Sequence, residues 1–199
     1  MARTNWPWTL LACVALALAP MAAWAHADPH PGGGFVAGLL HPISGLDHVV
    51  AMVAVGLWGA VLDPPALWVL PVAFPMVMAF GGLLGLLGIP IPGVEIGIAA
   101  SGLVMGLMVL FELKPPLWLA ALIVAAFAVF HGHAHGAELP AGSNALLYSL
   151  AFVIATGLLH LLGILLGETR RWPGGRRFVQ GAVGVVALIG LLFLEQALR

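Results

Sequence analysis

The sequence predicts an all-α membrane protein, a bundle of six transmembrane helices after a cleaved N-terminal signal peptide. Three observations predict it. The chain of 199 residues is 62% apolar and only 8% charged, whereas soluble domains are about 25% charged. Apolar stretches long enough to cross a bilayer recur along the chain, and the connections between them are short. Composition therefore excludes an ordinary water-soluble fold.

The N-terminal segment has the three parts of a secretory signal peptide. Arg3 precedes an apolar run over residues 9–19, and a small-x-small motif ends at Ala25. This pattern predicts a signal peptide over 1–25 and a mature membrane domain over 26–199. An uncleaved first membrane helix is the alternative, although the apolar run is shorter than the roughly 20 residues that a span requires.

Turn-forming residues separate the six predicted membrane helices. Proline and glycine clusters, which interrupt helices, follow the apolar stretches, as in Asp63-Pro64-Pro65. The stretches cover residues 36–62, 67–89, 94–112, 116–137, 144–167 and 177–196.

The distribution of charge orients these helices. Basic residues between helices occur only after the third and fifth, at Lys114, Arg170, Arg171, Arg176 and Arg177. Loops rich in Lys and Arg stay on the cytoplasmic side, and a cleaved signal peptide places the mature N-terminus outside. Both signals predict a multi-pass protein of the bacterial cytoplasmic (inner) membrane with its mature N-terminus and C-terminus outside.

Charge and cysteine content exclude two classes of function. The formal net charge is −1 and no basic stripe occurs, so nucleic acid is not a predicted partner. Cys13 is the single cysteine, which excludes an intramolecular disulfide and a Cys-based zinc site. Eight histidines, by contrast, outnumber the seven Lys plus Arg. Because imidazole is a common metal ligand, the histidines are the candidate functional groups.

The first predicted helix carries an H-x5-D-H motif formed by His41, Asp47 and His48. In a continuous helix, His41, His48 and Met52 lie within about 20° of one line. Asp47 points about 100° away from His48, which suits it to hold a ligand of a neighbouring helix or to form a side wall of a site. Pro42 either begins the regular helix or kinks it.

The fourth predicted helix ends in a second polar cluster, FHGHAHGAE. His131, His135 and Glu138 share one face through their i, i+4, i+7 spacing, and His133 points roughly opposite. Two imidazoles and a carboxylate suit a borderline divalent cation such as nickel, cobalt or zinc. Both clusters lie near the outer ends of their helices and are predicted to meet at one depth. The alternative is histidines that only wet the interface, but ionisable groups within a membrane are costly unless they serve an ion path.

Other polar residues are further candidates. Glu95, at the outer start of the third helix, either joins the site or is a solvated carboxylate. His160 lies roughly 24 Å inward along the fifth helix and is either a relay for the ion or a buried histidine bonded to backbone. After cleavage, the amine and imidazole of His26 form a nitrogen chelate with His30 nearby, of the kind that nickel(II) favours. The alternative for these two histidines is a mobile tail.

Both motifs resemble signatures of the HupE/UreJ family of bacterial nickel/cobalt permeases. The resemblance rests on HPISGLDHVVAMVAVGLWGA and FHGHAHGAELP, and with the signal peptide and six spans it covers the whole chain. It implies inward secondary transport of Ni²⁺, sometimes Co²⁺, to supply enzymes such as hydrogenase or urease. The family's motifs fall, position by position, on His41, Asp47, His48, His131, His133, His135 and Glu138.

The sequence therefore predicts a secondary transporter, not an enzyme, with Ni²⁺ or Co²⁺ as its substrate and no permanently bound cofactor. The predicted partners are the metal ion and the lipid bilayer, and a homo-oligomer is compatible with the sequence. No ATP-binding P-loop occurs. A divalent cation gains roughly 4.6 kcal/mol on moving inward through 100 mV, so the membrane potential alone can drive uptake. A membrane metalloenzyme and a metal-sensing accessory protein are the alternatives that use the same histidines.

Overall fold

The computed structural model describes residues 34–139 and 142–199, and within them the chain forms α-helices joined by short connections, with no strand. A short 3-10 helix, Thr169–Arg171, precedes the last α-helix. The α-helices are α1 Gly34–Ser44, α2 Leu46–Leu62, α3 Ala66–Leu86, α4 Val94–Leu110, α5 Leu117–Ala137, α6 Ala145–Glu168 and α7 Gly175–Ala197. The all-α prediction is confirmed. The predicted signal peptide and His26 lie outside the described residues.

The described helices provide four to five candidate membrane spans. Helices α3, α5, α6 and α7 are each long and apolar enough to cross a membrane. Helices α1 and α2 pass the same test only as a pair, which forms either one broken span or a re-entrant loop. Helix α4 is apolar but only 17 residues long. It corresponds to the predicted span over 94–112, so a bundle of six spans stays a prediction.

The predicted first helix is interrupted, in line with the alternative of a kink at Pro42, but the break lies three residues later, at Gly45. Helices α1 and α2 meet at an 80° bend, and Gly45 between them has an extended backbone with φ −98° and ψ 117°. Pro42 has no N–H to donate within α1, which weakens the helical hydrogen bonding just before the bend. The predicted stripe of His41, His48 and Met52 on one helix face is therefore wrong. Met52 is fully buried in the apolar core.

The other five predicted helices are present, with ends within three residues of the predicted positions. Helices α3 and α5 begin after Pro65 and Pro116, where a missing N–H leaves no donor unpaired. Asn144 caps α6, because its side-chain oxygen accepts a hydrogen bond from the Leu147 N–H at 3.1 Å. Helix α7 begins after Gly174, whose φ of 79° is the left-handed conformation that glycine adopts without steric cost.

Helices α3 and α5 pack so closely that glycine is required where they cross. A Cβ added at Gly132 would overlap the Met78 carbonyl, and one added at Gly136 would overlap the Gly82 carbonyl. Small residues that let two backbones approach are typical of helix association in lipid, where apolar burial between helices supplies little. This crossing, which we call the glycine seam, fixes the position of the C-terminal part of α5.

The basic connections meet at the opposite end of α2 from His48. Asp63, which follows α2, accepts hydrogen bonds from Arg170 at 2.6 Å and Arg171 at 3.1 Å, and its Oδ2 lies 3.5 Å from the Lys114 Nζ. Burial acts to raise the pKa of the Asp63 carboxyl, but the three cations outweigh it and lower the pKa below its ordinary value. These charges connect the segments that follow α2, α4 and α6.

The glycine seam predicts a steric penalty at Gly132. Gly132→Ala is expected to lower the midpoint of thermal unfolding in detergent by about 3–10 °C, because overpacking costs about 1–3 kcal/mol. Gly157→Ala in α6 is the matched control, since nothing lies within 4 Å of a Cβ added there. Equal midpoints for the two variants would contradict the close crossing.

The Asp63 cluster predicts a pH-dependent contribution to stability. Asp63→Asn is expected to lower the unfolding midpoint at neutral pH. Because the pKa of Asp63 is lowered in the folded protein, the contribution is present above its ordinary value of 3.8 and is lost as pH falls through the lowered pKa. Thermal melts of variant and parent should therefore converge in acid. Glu195→Gln is the control, because Glu195 pairs with Arg199 at an exposed site where ion pairs contribute little. A difference that persists in strong acid would indicate lost packing instead.

Candidate metal centre

Six of the predicted ligand side chains converge where the bend between α1 and α2 faces the C-terminal end of α5. His41 and His48 both contact His135, with ring centroids 4.8 Å and 4.5 Å apart, respectively. The bend therefore brings together the two histidines of the first motif, which a continuous helix would align along its length. The converging side chains are His41, Asp47, His48, His131, His135 and Glu138.

Three imidazoles form the inner part of the centre, which we call the buried triad: His48, His131 and His135. Their ligand atoms lie within 4.8 Å of one another, and His131 is 0% and His135 6% exposed. The Nε2 of His48, the Nδ1 of His131 and both ring nitrogens of His135 find no hydrogen-bond partner among the described residues. Leaving a buried polar atom unpaired costs about 1–3 kcal/mol. Nitrogen atoms left free at one point are suited to bind a divalent cation.

A second group, the surface triad, consists of His41, His135 and Glu138, whose ligand atoms also lie within 4.8 Å of one another. The Nε2 of His41 lies 3.5 Å from the Oε2 of Glu138, and the Glu138 side chain is 58% exposed. Contact with His41 lowers the pKa of the Glu138 carboxyl below its ordinary value, against partial burial, which acts to raise it. Because His135 belongs to both triads, an exposed carboxylate is linked to the buried imidazoles through one shared ring.

Two hydrogen bonds determine which nitrogen of the buried triad carries the proton. Ser101 Oγ donates its only hydrogen to the Ile98 carbonyl at 2.6 Å, so at 2.8 Å from His131 Nε2 it accepts the Nε2–H. The Asp47 Oδ1, 3.0 Å from His48 Nδ1, accepts the Nδ1–H in the same way. His131 Nδ1 and His48 Nε2 are left as lone-pair donors. Metal-binding histidines ordinarily have such partners on their second nitrogen.

The structure changes the positions expected for two predicted ligands. Asp47 does not reach a ligand of a neighbouring helix, since its partner is His48 on its own helix. The His133 Nε2 lies 2.8 Å from the Ile89 carbonyl, so its ring points to the connection between α3 and α4 and belongs to neither triad. The i+2 spacing of His133 from His131 explains this, because residues two apart do not share a helix face.

Ser101 was not a candidate in the sequence. The signal that could have found it is that Ser101 is the only hydroxyl side chain in the apolar helix α4. Ser101 is 1% exposed, and its hydrogen bond with His131 connects α4 to α5. A hydroxyl in a helix is easily overlooked because Ser and Thr can donate their hydrogen bond to a backbone carbonyl of the same helix, as Ser101 does to Ile98.

Two cavities adjoin residues of the candidate centre, one at His135 and one at Asp47. A cleft of about 290 Å³ between α3, α5 and α6 reaches His135 and is lined mainly by apolar side chains such as Phe152. A second cavity of about 310 Å³ is lined by Asp47 and Glu95 together with Gln196. Glu95 thus shares a cavity with the carboxylate that holds His48.

Comparison with known proteins agrees with the motifs. The family described as HupE / UreJ protein matches residues 14–193. The chain belongs to the HupE/UreJ family. Protein HupE from Rhizobium leguminosarum bv. viciae is 48% identical to this HupE/UreJ chain over 186 residues, which cover 94% of the chain and 95% of that relative. No solved structure matches. The HupE/UreJ family is associated with nickel and cobalt uptake, and its proteins are transporters or accessory proteins.

The hydrogen bond to His131 predicts a role for Ser101 in metal binding. Ser101→Ala is expected to lower the affinity for Co²⁺ by about 10–100-fold, because the His131 tautomer and ring orientation are no longer fixed. Titration of the purified protein, followed by the absorption of bound Co²⁺, measures this change. Ser149→Ala removes an exposed hydroxyl from α6 and is the control. Affinity equal to that of the parent would contradict the assignment of Ser101.

Proposed function

We propose that this HupE/UreJ chain is a secondary transporter that takes up Ni²⁺, and also Co²⁺, across the bacterial cytoplasmic membrane, as substrate and without a permanent cofactor. The observation that carries the proposal is the buried triad, whose free nitrogens lie within an apolar helical bundle. The association of the family with nickel and cobalt handling for hydrogenase and urease supports the choice of metals and the use of the ion in the cell.

The two triads supply a route for the cation. Glu138 is exposed and carries a negative charge, so it attracts the ion and, with His41, begins to replace its water ligands. The shared His135 then remains bound to the ion while His48 and His131 replace His41 and Glu138 as its ligands. Each triad offers three ligands, fewer than a closed structural site uses, which keeps binding reversible. Imidazole binds metal only when neutral, so protonation favours release.

We infer a topology in which the triads face outward and the Asp63 cluster faces the cytoplasm. Basic connections remain on the cytoplasmic side of bacterial membranes, and the Asp63 cluster collects Lys114, Arg170 and Arg171. Helix α4, at 17 residues, is about 25 Å long and spans the membrane beside its longer neighbours. Six spans after a signal peptide cleaved at Ala25 leave both mature termini outside.

Uptake into proteoliposomes tests the proposal directly. Purified protein in vesicles with an inside-negative potassium diffusion potential is expected to admit Ni²⁺ to an enclosed indicator, with excess Co²⁺ competing for entry. An enzyme or a metal sensor would instead retain bound metal without flux, and that outcome would contradict transport.

Variants of the triads should separate capture from passage. His135→Ala is expected to abolish uptake because both triads lose a ligand. Glu138→Gln should mainly raise the half-saturating Ni²⁺ concentration, since it removes the exposed charge. His133→Ala is the histidine control, because its ring binds the Ile89 carbonyl. Uptake rates in each variant, normalised to protein in the vesicles, provide the measurement. Normal uptake in His135→Ala would refute the proposed ligand set.

A further inference from the structure

Helix α6 contains a histidine that belongs to neither triad and, like His135 of α5, has no hydrogen-bond partner on either ring nitrogen in the part of the chain that the structure describes. His160 is 1% exposed, and neither of its ring nitrogens forms a hydrogen bond within residues 34–139 and 142–199. Thr156 lies one turn earlier on the same face, and its Oγ1 is equally buried and unpaired. An apolar residue at position 160 would avoid the penalty of about 1–3 kcal/mol for each unpaired buried atom. Unpaired atoms on adjacent turns therefore indicate a ligand that the two residues share.

Phe74 of α3 contacts both His160 and a histidine of the buried triad. Its ring centroid lies 5.6 Å from that of His131 and 5.4 Å from that of His160. The Phe74 side chain is buried and packs against both imidazoles. His160 and a ligand of the proposed transport site therefore share one aromatic neighbour.

The backbone of α3 adds an oxygen atom beside His160. Pro75 has no N–H, so the carbonyl of Pro71, four residues earlier, lacks the donor that a regular helix would provide. The Pro71 carbonyl lies near a ring nitrogen of His160, although outside ordinary hydrogen-bond geometry. An imidazole, a hydroxyl and a freed carbonyl therefore face one small region inside the bundle.

Close packing fixes His160 at this position. A Cβ added at Gly56 of α2 would overlap the His160 carbonyl, and one added at Gly163 of α6 would overlap the Val53 carbonyl. The two backbones leave no space for α6 to shift or rotate locally. The backbone of α6 is therefore held against α2 on both sides of His160.

We propose that His160, Thr156 and the Pro71 carbonyl form an inner site that binds a divalent transition-metal cation after it leaves the buried triad. The proposal rests on the transport function proposed above. Along α6, His160 follows Phe152, which contacts His135, and precedes the segment that carries Arg170. The inner site therefore lies between the triads and the end of the bundle that carries the Asp63 cluster. One imidazole with two neutral oxygens is a weaker donor set than three imidazoles, which favours release toward that end.

Calorimetric titration of the detergent-purified full chain with Ni²⁺ tests the inner site independently of flux. The parent is expected to show a weak class of binding that His160→Leu loses, while the stronger class at the triads changes by less than about twofold. Ile164→Ala, which shortens a buried apolar residue one turn further along α6, is the packing control and should keep both classes. His160→Gln, which keeps a polar side chain, guards against loss of folding in the leucine variant and should also lose the weak class.

The same variants in proteoliposomes complete the test. His160→Leu is expected to slow Ni²⁺ uptake by about tenfold or more with binding at the triads intact. Normal uptake in this variant, or slow uptake with the weak class still present, would overturn the inner site while leaving transport established. If the parent shows no uptake but has a weak class that depends on His160, the inner site stands and the transport function fails. A parent without the weak class overturns the inner site whatever its uptake.

Discussion

Inside hydrocarbon, a polar atom has no water to bond with, and this constraint governs the whole molecule. The helices satisfy their backbone groups internally, and the connections with most of the charge lie at the basic end, where Asp63 pairs with its three cations. Against that background, the nitrogens of the buried triad are among the few buried side-chain atoms of the described residues that have no hydrogen-bond partner. Ser101 and Asp47 satisfy only the nitrogen that carries the hydrogen, so the remaining lone pairs of His131 and His48 face the centre. Both ring nitrogens of His160 belong to the same set of unpaired buried atoms.

The segment from His131 to Gly136 serves packing and ligand binding at once. His131 and His135 are one turn apart and face the triads, whereas Gly132 and Gly136, each one residue later, face α3 at the glycine seam. Successive residues in a helix point about 100° apart. The repeated His-Gly pair therefore presents imidazoles on one face of α5 and bare backbone on the adjacent face, toward α3. Because the seam fixes α5 against α3, the helix packing also sets the positions of the ligands.

Much of this arrangement follows from the sequence, and the exceptions have physical reasons. Apolar length and proline or glycine turns located the helices, because a bilayer imposes both. The position of the bend at Gly45 was missed because helical periodicity assumes a continuous helix. Helices α1 and α2 both pack on α6, but their axes differ in direction by 80°. The two motifs identified the centre, since ionisable groups are rare in such a chain. Phe74 gave no periodic or compositional signal, and Ser101 was marked only by being the single hydroxyl side chain of α4. Their importance arises only from which histidines they contact in space.

The ring shared by the two triads limits how many ions the centre can hold. A neutral imidazole has a single lone pair, because its other nitrogen carries hydrogen. His135 can therefore complete the buried triad or the surface triad, but not both at the same moment. In the proposed transport cycle, the two groups are then alternative positions of one ion, and the next ion binds only after the first has moved on. Single-file entry would thus be set by one side chain and not by the width of a pore.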